Sequence, residues 1–442
     1  MESDDSDSIT PALRNSSSTI KIRQGCKRIA KCRYENFDQA RFVKIPDSVE
    51  RIFDYAFKGC SSLRTVYLPE GLLTIGFGCF QECTNLTMLH IPNSVYKIKE
   101  EAFKGCASLC AVILPAQLQR IPDRCFFQCS KLQLVVIPPR VRKIGMHAFY
   151  GCSNLKQVTF PSNDLIIERN CFDDCSRLER IDLCPYGTHL DEDISIPYWG
   201  EDIFYSCYSL VELDLSHYPV HTFKESCFKG CYGLEKVILS MQTRELMDDC
   251  FSNCSSLKQI GYGSFSDIED NPEDKFGVDL DDIDGFSSMV FGGCSSLESV
   301  IVHDQFIMSR AFLRCHKLNK ISLPGDIYLE EDEDIYGNKI CDIFDSDNVD
   351  KLIVRSNLEN ISYSMVYYVM YKIILRNPGL CAKSCTPTGL HPIELAIGKL
   401  GVINRRKGNR KKDRPDELWI YNVIYHYLRN APWMIFKMKC FH

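Results

Sequence analysis

Ile91-Pro92-Asn93-Ser94-Val95-Tyr96-Lys97-Ile98-Lys99-Glu100-Glu101-Ala102-Phe103-Lys104-Gly105-Cys106-Ala107-Ser108-Leu109-Cys110-Ala111-Val112 is one copy of a unit that this chain repeats. Its landmarks are apolar-Pro, three residues, apolar, two residues, Ile, three or four residues, Phe-x-x-Cys, two residues, Leu, two residues, apolar. The Phe-x-x-Cys landmark recurs at Phe57/Cys60, Phe80/Cys83, Phe103/Cys106, Phe126/Cys129, Phe149/Cys152 and Phe172/Cys175. Each Cys lies 23 residues after the last (83−60 through 175−152), and Pro46, Pro69, Pro92, Pro115, Pro138 and Pro161 keep the same step. A fixed period of this size means a stacked array of coils.

The unit explains itself physically. In Leu63-Arg64-Thr65-Val66-Tyr67-Leu68-Pro69, strand alternation sends Val66 and Leu68 inward and Thr65 and Tyr67 outward. Pro69 fixes φ and lacks an N–H, so it ends the strand and starts the turn. The chain then returns through Ile75 and Phe80 to a tight corner at Cys83. One coil cannot bury its apolar side alone; stacked at about 4.8 Å per strand, the coils share one core.

A length of 442 residues suggests about three globular domains, but the repeat overrides that prior. The net charge of −6 gives no global attraction to nucleic acid or membranes. Of 24 cysteines, eleven sit at the Phe-x-x-Cys corner, adding Cys207, Cys231, Cys254, Cys294 and Cys315 to the six above. Five more (Cys79, Cys125, Cys171, Cys227, Cys250) replace the Ala that precedes Phe57. These 16 repeat positions favour a small, buried, weakly polar side chain, and their thiols are expected to stay reduced. The N-terminus has no basic n-region or apolar h-region. Ile361 to Leu375 is too short and too polar to span a membrane. These features predict a cytoplasmic or nuclear protein.

Taken in order, residues 1–19 form an acidic, Ser-rich tail with a composition typical of disorder, and 20–42 an N-terminal cap. The solenoid runs over 43–354, with about eleven clear coils and one decayed coil at Phe344 to Val354. Loop insertions are expected near 185–199, 264–286 and 326–338, the last two acidic. Neither acidic run has the spacing of an EF-hand loop. Residues 355–442 form a C-terminal cap, with apolar residues at helical spacing in Trp419 to Arg429. A basic loop, 405–414, carries Arg405, Arg406, Lys407, Arg410, Lys411, Lys412 and Arg414. It reads as a solvated loop, with nuclear import or nucleic-acid binding as the alternatives.

No catalytic constellation is visible. His217 and His221 are separated by Tyr218-Pro219-Val220, which forbids a helix that would aim both at one metal. Cys381, Cys385, His391, Cys440 and His442 match no familiar zinc spacing. No cofactor, metal, small-molecule substrate or nucleic acid is expected. The informative surface is the outward strand positions: Thr65, Tyr67, Met88, His90, Ile113, Leu134 and Val136, then Gln157, Thr159, Arg180 and Asp182, and farther on Glu212, Asp214, Lys236 and Ile238. The early positions make an apolar stripe, which commonly marks an interaction site. Tyr67, Met88, His90, Ile113, Leu134, Val136, Gln157 and Arg180 are the predicted partner-binding residues.

The unit from Ile91 to Val112 closely resembles the BspA-like leucine-rich repeat over roughly 43–354. That resemblance implies a β-rich, right-handed leucine-rich repeat solenoid whose usual role is protein binding or adhesion, often at a cell surface. It brings no shared catalytic residues. Thr386 to Ile397 resembles the opening of an ankyrin-type helix, giving a short helical C-terminal cap. The cysteine-rich corners with such a tail look similar to intracellular sets in protists such as diatoms. The expectation is a non-enzymatic scaffold that binds another protein on the concave strand face.

Overall fold

Each unit folds into one coil made of a long strand, a turn at the proline, a short strand and a corner. In the quoted copy the long strand is Met88–His90 and the short strand is Lys97–Ile98. Val95 N–H donates to the Pro92 carbonyl at 3.0 Å, closing the turn that the proline begins. The computed structural model describes residues 18–162, 164–183, 197–262, 278–280, 287–302, 306–307, 310–318, 320–323, 328–329, 332–333, 339–340 and 352–354. Among them there is no α-helix, and none long and apolar enough to cross a membrane.

The long strands form an eight-stranded parallel sheet in chain order from Thr19–Ile20 to Arg180–Leu183. A second, seven-stranded sheet starts at Glu212–Asp214 and ends at Leu352–Val354. Short strands such as Arg51–Ile52 and Thr74–Ile75 pair in their own parallel sheets. Register advances by one coil at each step, as in Thr65↔Met88 and Met88↔Ala111. Equivalent residues therefore stack in columns.

The corner adds a third ladder. Tyr55, Phe57 and Gly59 donate their N–H groups to Phe77, Cys79 and Gln81 of the next coil at 2.8, 2.9 and 2.8 Å. The alternate donors Ala56, Lys58 and Cys60 fold back three residues, to Phe53, Tyr55 and Phe57. This alternation needs two left-handed residues per corner, here Tyr55 (φ 58°) and Gly59 (φ 69°). Glycine takes the second position without strain; elsewhere Glu82, Gln128 and Asp174 hold it.

The core is a set of columns. Twelve rings, Tyr34 and then Phe57 through Phe312, stack with centroids 5.2–5.8 Å apart and planes within 14°. Every Phe of this column is fully buried. Such offset stacking contributes beyond the area it buries.

The insertions and ends differ from expectation in detail. The tail expected over 1–19 gives way to a strand at Thr19, and the cap expected over 20–42 is itself a coil with Tyr34 in the Phe column. Tyr198–Trp199, placed in the first loop, is a short strand paired with Ile166–Ile167, and Trp199 is buried. Val278–Leu280, inside the second insertion, adds a strand between Gln259–Tyr262 and Ser299–Val302. The 40-residue step from Cys254 to Cys294 exceeds a coil by 17 residues, and an apolar–Asp–apolar triplet within that excess can join the ladder. Tyr328–Leu329, in the third, pairs with Phe306–Ile307. The strand of the decayed coil, Leu352–Val354, pairs with Lys320–Leu323. The helical pair, the ankyrin-like segment and the basic loop 405–414 lie outside the described residues.

Candidate functional site

The long-strand sheet carries the predicted stripe. In the triplets Thr65–Tyr67, Met88–His90, Ala111–Ile113 and Leu134–Val136 the central residue is buried and the outer residues face solvent or are half-buried. Two columns result. One runs Phe42, Thr65, Met88, Ala111, Leu134, Gln157, Arg180; the other Lys44, Tyr67, His90, Ile113, Val136, Thr159, Asp182. Tyr67 (55%), Met88 (67%), Ile113 (61%), Leu134 (48%) and Val136 (59%) are exposed together on this one face. His90 is exposed among them. The structure thus brings six of the eight predicted residues into one patch.

The other two sit differently. Gln157 is half-buried and donates its amide to the Asp182 carboxylate, which also accepts from Arg180 Nε. Both are held by Asp182 rather than projecting freely. Ile238, expected outward beside Lys236, is fully buried between Asp214 and Gly261 of the flanking strands. The stripe therefore ends within the first sheet.

The first sheet ends where the ladder breaks between Arg180–Leu183 and Glu212–Asp214. A cleft of about 680 Å³ opens there, lined by Glu179, Arg180, Asp182, Glu212, Asp214 and His217, with apolar residues between. Tyr218 closes its floor: buried, it donates its hydroxyl to the Ser162 carbonyl at 2.9 Å. The sequence signal for this break is the step of 32 from Cys175 to Cys207, which by spacing alone predicts a loop.

The cysteine column has a role that spacing alone did not reveal. All eleven corner thiols donate to the backbone carbonyl of the ring residue one coil earlier, at 3.1–3.3 Å. Burial pushes the thiols of Cys60, Cys106 and Cys231 up to about 12. Such thiols are poor nucleophiles. His221 pairs with Gln242 at 3.1 Å, and His217 lines the cleft, so the two histidines do not converge. Among the described residues no three His, Cys, Asp or Glu side chains gather about a metal-sized space. Cys381, Cys385, His391, Cys440 and His442 lie outside them.

The BspA-type leucine-rich repeat region, a model of six copies, matches residues 13–133, 96–194, 119–258, 193–276 and 255–372. The chain belongs to the BspA-type leucine-rich repeat family. Solved structures similar to it include a leucine-rich repeat protein from Bacteroides ovatus, 25% identical, covering 69% of this chain and 86% of that one with a TM-score of 0.45. A leucine-rich cell surface protein from Faecalibacterium prausnitzii is 24% identical, covering 78% and 85% with a TM-score of 0.45. The leucine-rich repeat protein of T. pallidum is 31% identical over 38% of this chain and 78% of its own, with a TM-score of 0.34. No curated protein sequence matches significantly. The BspA-type matches stop at residue 372, so the ankyrin-like segment gains nothing from them, and neither does the diatom-like origin.

Proposed function

We propose that this BspA-type protein is a non-catalytic scaffold that binds another protein on its long-strand face. One observation carries the reading: Tyr67, Met88, His90, Ile113, Leu134 and Val136 form a contiguous exposed patch on one parallel sheet. Large apolar residues in such a patch are costly to leave in water and mark protein contact surfaces. An array of coils presents such a surface without any moving part.

The test is affinity capture from source-cell lysate with the wild type beside a His90→Glu/Leu134→Glu variant whose melt is unchanged. A protein recovered by the wild type and lost with the variant supports the reading. Equal recovery by both removes it.

The compartment we propose is reducing, cytoplasmic or nuclear, rather than an oxidising cell surface. A thiol that donates to a carbonyl must carry its hydrogen, and eleven corners use that bond. Thiol titration of protein taken directly from cells under acid quench tests this. Recovery of the corner cysteines as disulfides would favour the surface adhesion known for other BspA-type chains.

A further inference from the structure

We infer that the partner segment on this face is an amphipathic helix of about twenty residues, acidic at one end, apolar in the middle and basic at the other. This rests on the proposed function and adds the partner's chemistry and polarity.

Charge is ordered along the face. Consider, in each coil, the two outward strand residues and the exposed or half-buried residue before them. The coils of Arg41 to Lys44 and Arg64 to Tyr67 carry three cations and no anion. The next three, Thr87 to His90, Cys110 to Ile113 and Gln133 to Val136, carry no formal charge with His90 neutral. The coil of Lys156 to Thr159 carries one cation. The two coils on either side of the ladder break, Glu179 to Asp182 and Val211 to Asp214, carry four carboxylates against Arg180, a net of 1 − 4 = −3, and the next, Glu235 to Ile238, adds one charge of each sign. One end of the face is +3, the centre is apolar, and the far end is −3.

The cationic end, Arg41, Lys44 and Arg64, is exposed and has no ion-pair partner among the described residues. Arg41 and Arg64 repeat one coil apart, where like charges repel. An acidic occupant removes that cost. At the far end Arg180 pairs with Asp182, Lys156 lies one coil before Glu179 and Lys236 stands in register with Glu212, so carboxylates outnumber cations there, and Glu179 and Asp214 make no ion pair among the described residues. A basic occupant completes them.

Length and backbone chemistry choose the helix. From the Lys44 position to the Asp182 position is six strand steps, roughly 29 Å at about 4.8 Å each. A helix of about twenty residues spans that distance at 1.5 Å per residue. An extended peptide crossing the strands would meet no open sheet edge from Phe42–Lys44 to Gln157–Phe160, since each of these strands has a neighbour on both sides, and would leave its own N–H and C=O groups unpaired. A helix satisfies its own backbone and offers side chains alone, as in helix-in-groove recognition.

The experiment uses the full chain and designed Ala/Leu helical peptides of twenty residues. One set carries four Glu at one end and four Lys at the other, made in both chain polarities; the control has the same composition with the charges interleaved. Fluorescence anisotropy at low and 0.5 M salt reads binding. The expected result is at least tenfold tighter binding of one block peptide than of the control. That preference should shrink at high salt and vanish in an Arg41→Glu/Arg64→Glu variant with an unchanged melt. Equal binding of block and interleaved peptides, or a preference untouched by that variant, overturns the inference. So does a concentration-dependent dimer, lost in the same variant, because a second copy would then be the occupant. If both peptides bind equally and His90→Glu/Leu134→Glu abolishes both, the face remains the site and only its polarity is lost. If that variant changes neither the peptides nor lysate capture, the function reading falls as well.

Discussion

The thiol of Cys106 donates a hydrogen bond to the backbone carbonyl of Phe80, 3.2 Å away and 26 residues earlier in the chain. The same carbonyl already accepts from Cys83 N–H at 3.2 Å, so the thiol completes its second lone pair. One fully buried side chain thus ties two coils. Cys106→Ala should cost about 1–2 kcal/mol, from the lost bond and the small void. Cys106→Ser should cost less, since a hydroxyl keeps the donor. Urea denaturation of the three proteins checks the order; serine costing more than alanine would mean that the hydrogen bond contributes nothing.

Thiol reactivity offers a second test of the same column. Of the 19 described cysteines, 16 are buried, Cys26 and Cys110 are half-buried and Cys32 is exposed. Burial holds the corner thiols well above the ordinary cysteine range. Under native conditions a thiol reagent should modify Cys32 first, with the buried set reacting only as fast as the protein unfolds. Mass spectrometry of the time course would show this, and rapid native labelling of Cys106 or Cys129 would contradict the packing.

Phe103 stacks on Phe80 at 5.7 Å and Phe126 at 5.5 Å and is fully buried. Phe103→Ala should destabilise by roughly 3–5 kcal/mol, because neighbouring coils are fixed by their ladders and cannot close the cavity. Leu134→Glu, on the exposed face of the same coil stack, should change stability by less than about 0.5 kcal/mol. Thermal melts of the pair separate core from surface. A Leu134→Glu protein that unfolds would reverse the inward and outward assignment of the strand.

The fold was legible because the repeat is strict. Phe-x-x-Cys, Pro and the strand alternation each recur every 23 residues, so the columns followed from counting, and the exposed stripe followed from alternation around Val66, Leu89 and Val135. What spacing could not carry was interaction across coils. The thiol-to-carbonyl bond depends on how Cys106 lies over Phe80, which no single-coil pattern encodes. Gln157 and Arg180 are outward residues, but Asp182, in the strand next to Gln157 and two residues on from Arg180 in its own strand, engages both. Val278–Leu280 was hidden because an acidic composition outweighed a three-residue strand pattern. The break in the ladder at Glu212 is a consequence of the 32-residue step, which fixes only that the rhythm stops and not what opens there.

The corner backbone gives a further prediction. Gln128 holds a left-handed conformation, φ 57°, at the position that Gly105 fills in the previous coil with φ 73°. A non-glycine residue there costs roughly 1–2 kcal/mol, against about 0.5–1 kcal/mol of chain entropy for glycine. Gln128→Gly should therefore raise stability slightly, by about 0.5 kcal/mol, and Gly105→Ala should lower it by about 1 kcal/mol. Space does not oppose the alanine, since its Cβ would lie 3.5 Å from Glu82 Cγ. The backbone conformation alone sets the sign, and denaturation midpoints of the two variants moving the same way would refute it.

Asp173 supplies a pH-dependent term. Burial pushes its carboxyl up to about 6, the carboxylates of Asp202 and Asp174 add to the shift, and an Asn170 Nδ2–H donor at 3.0 Å partly offsets it. Its folded value thus lies above the unfolded value of about 3.9. For a group raised on folding, the contribution to stability is full below the unfolded value and is lost as pH rises through the folded one. At pH 7 the ionised Asp173 is a net liability, and at pH 4 it is not. A shift of about two units corresponds to roughly 2.7 kcal/mol, and partial solvent access reduces the usable effect to about 1 kcal/mol. Asp173→Asn should therefore stabilise the protein at pH 7 and be close to neutral at pH 4. Glu50 and Asp54, both held low by lysines, act in the opposite direction, losing their contribution as pH falls. The difference between variant and wild type cancels them. Melts of both proteins at pH 4, 5, 6 and 7 read that difference directly; a gap that does not grow between pH 4 and 7 would show that the Asp173 carboxyl is not raised by its surroundings.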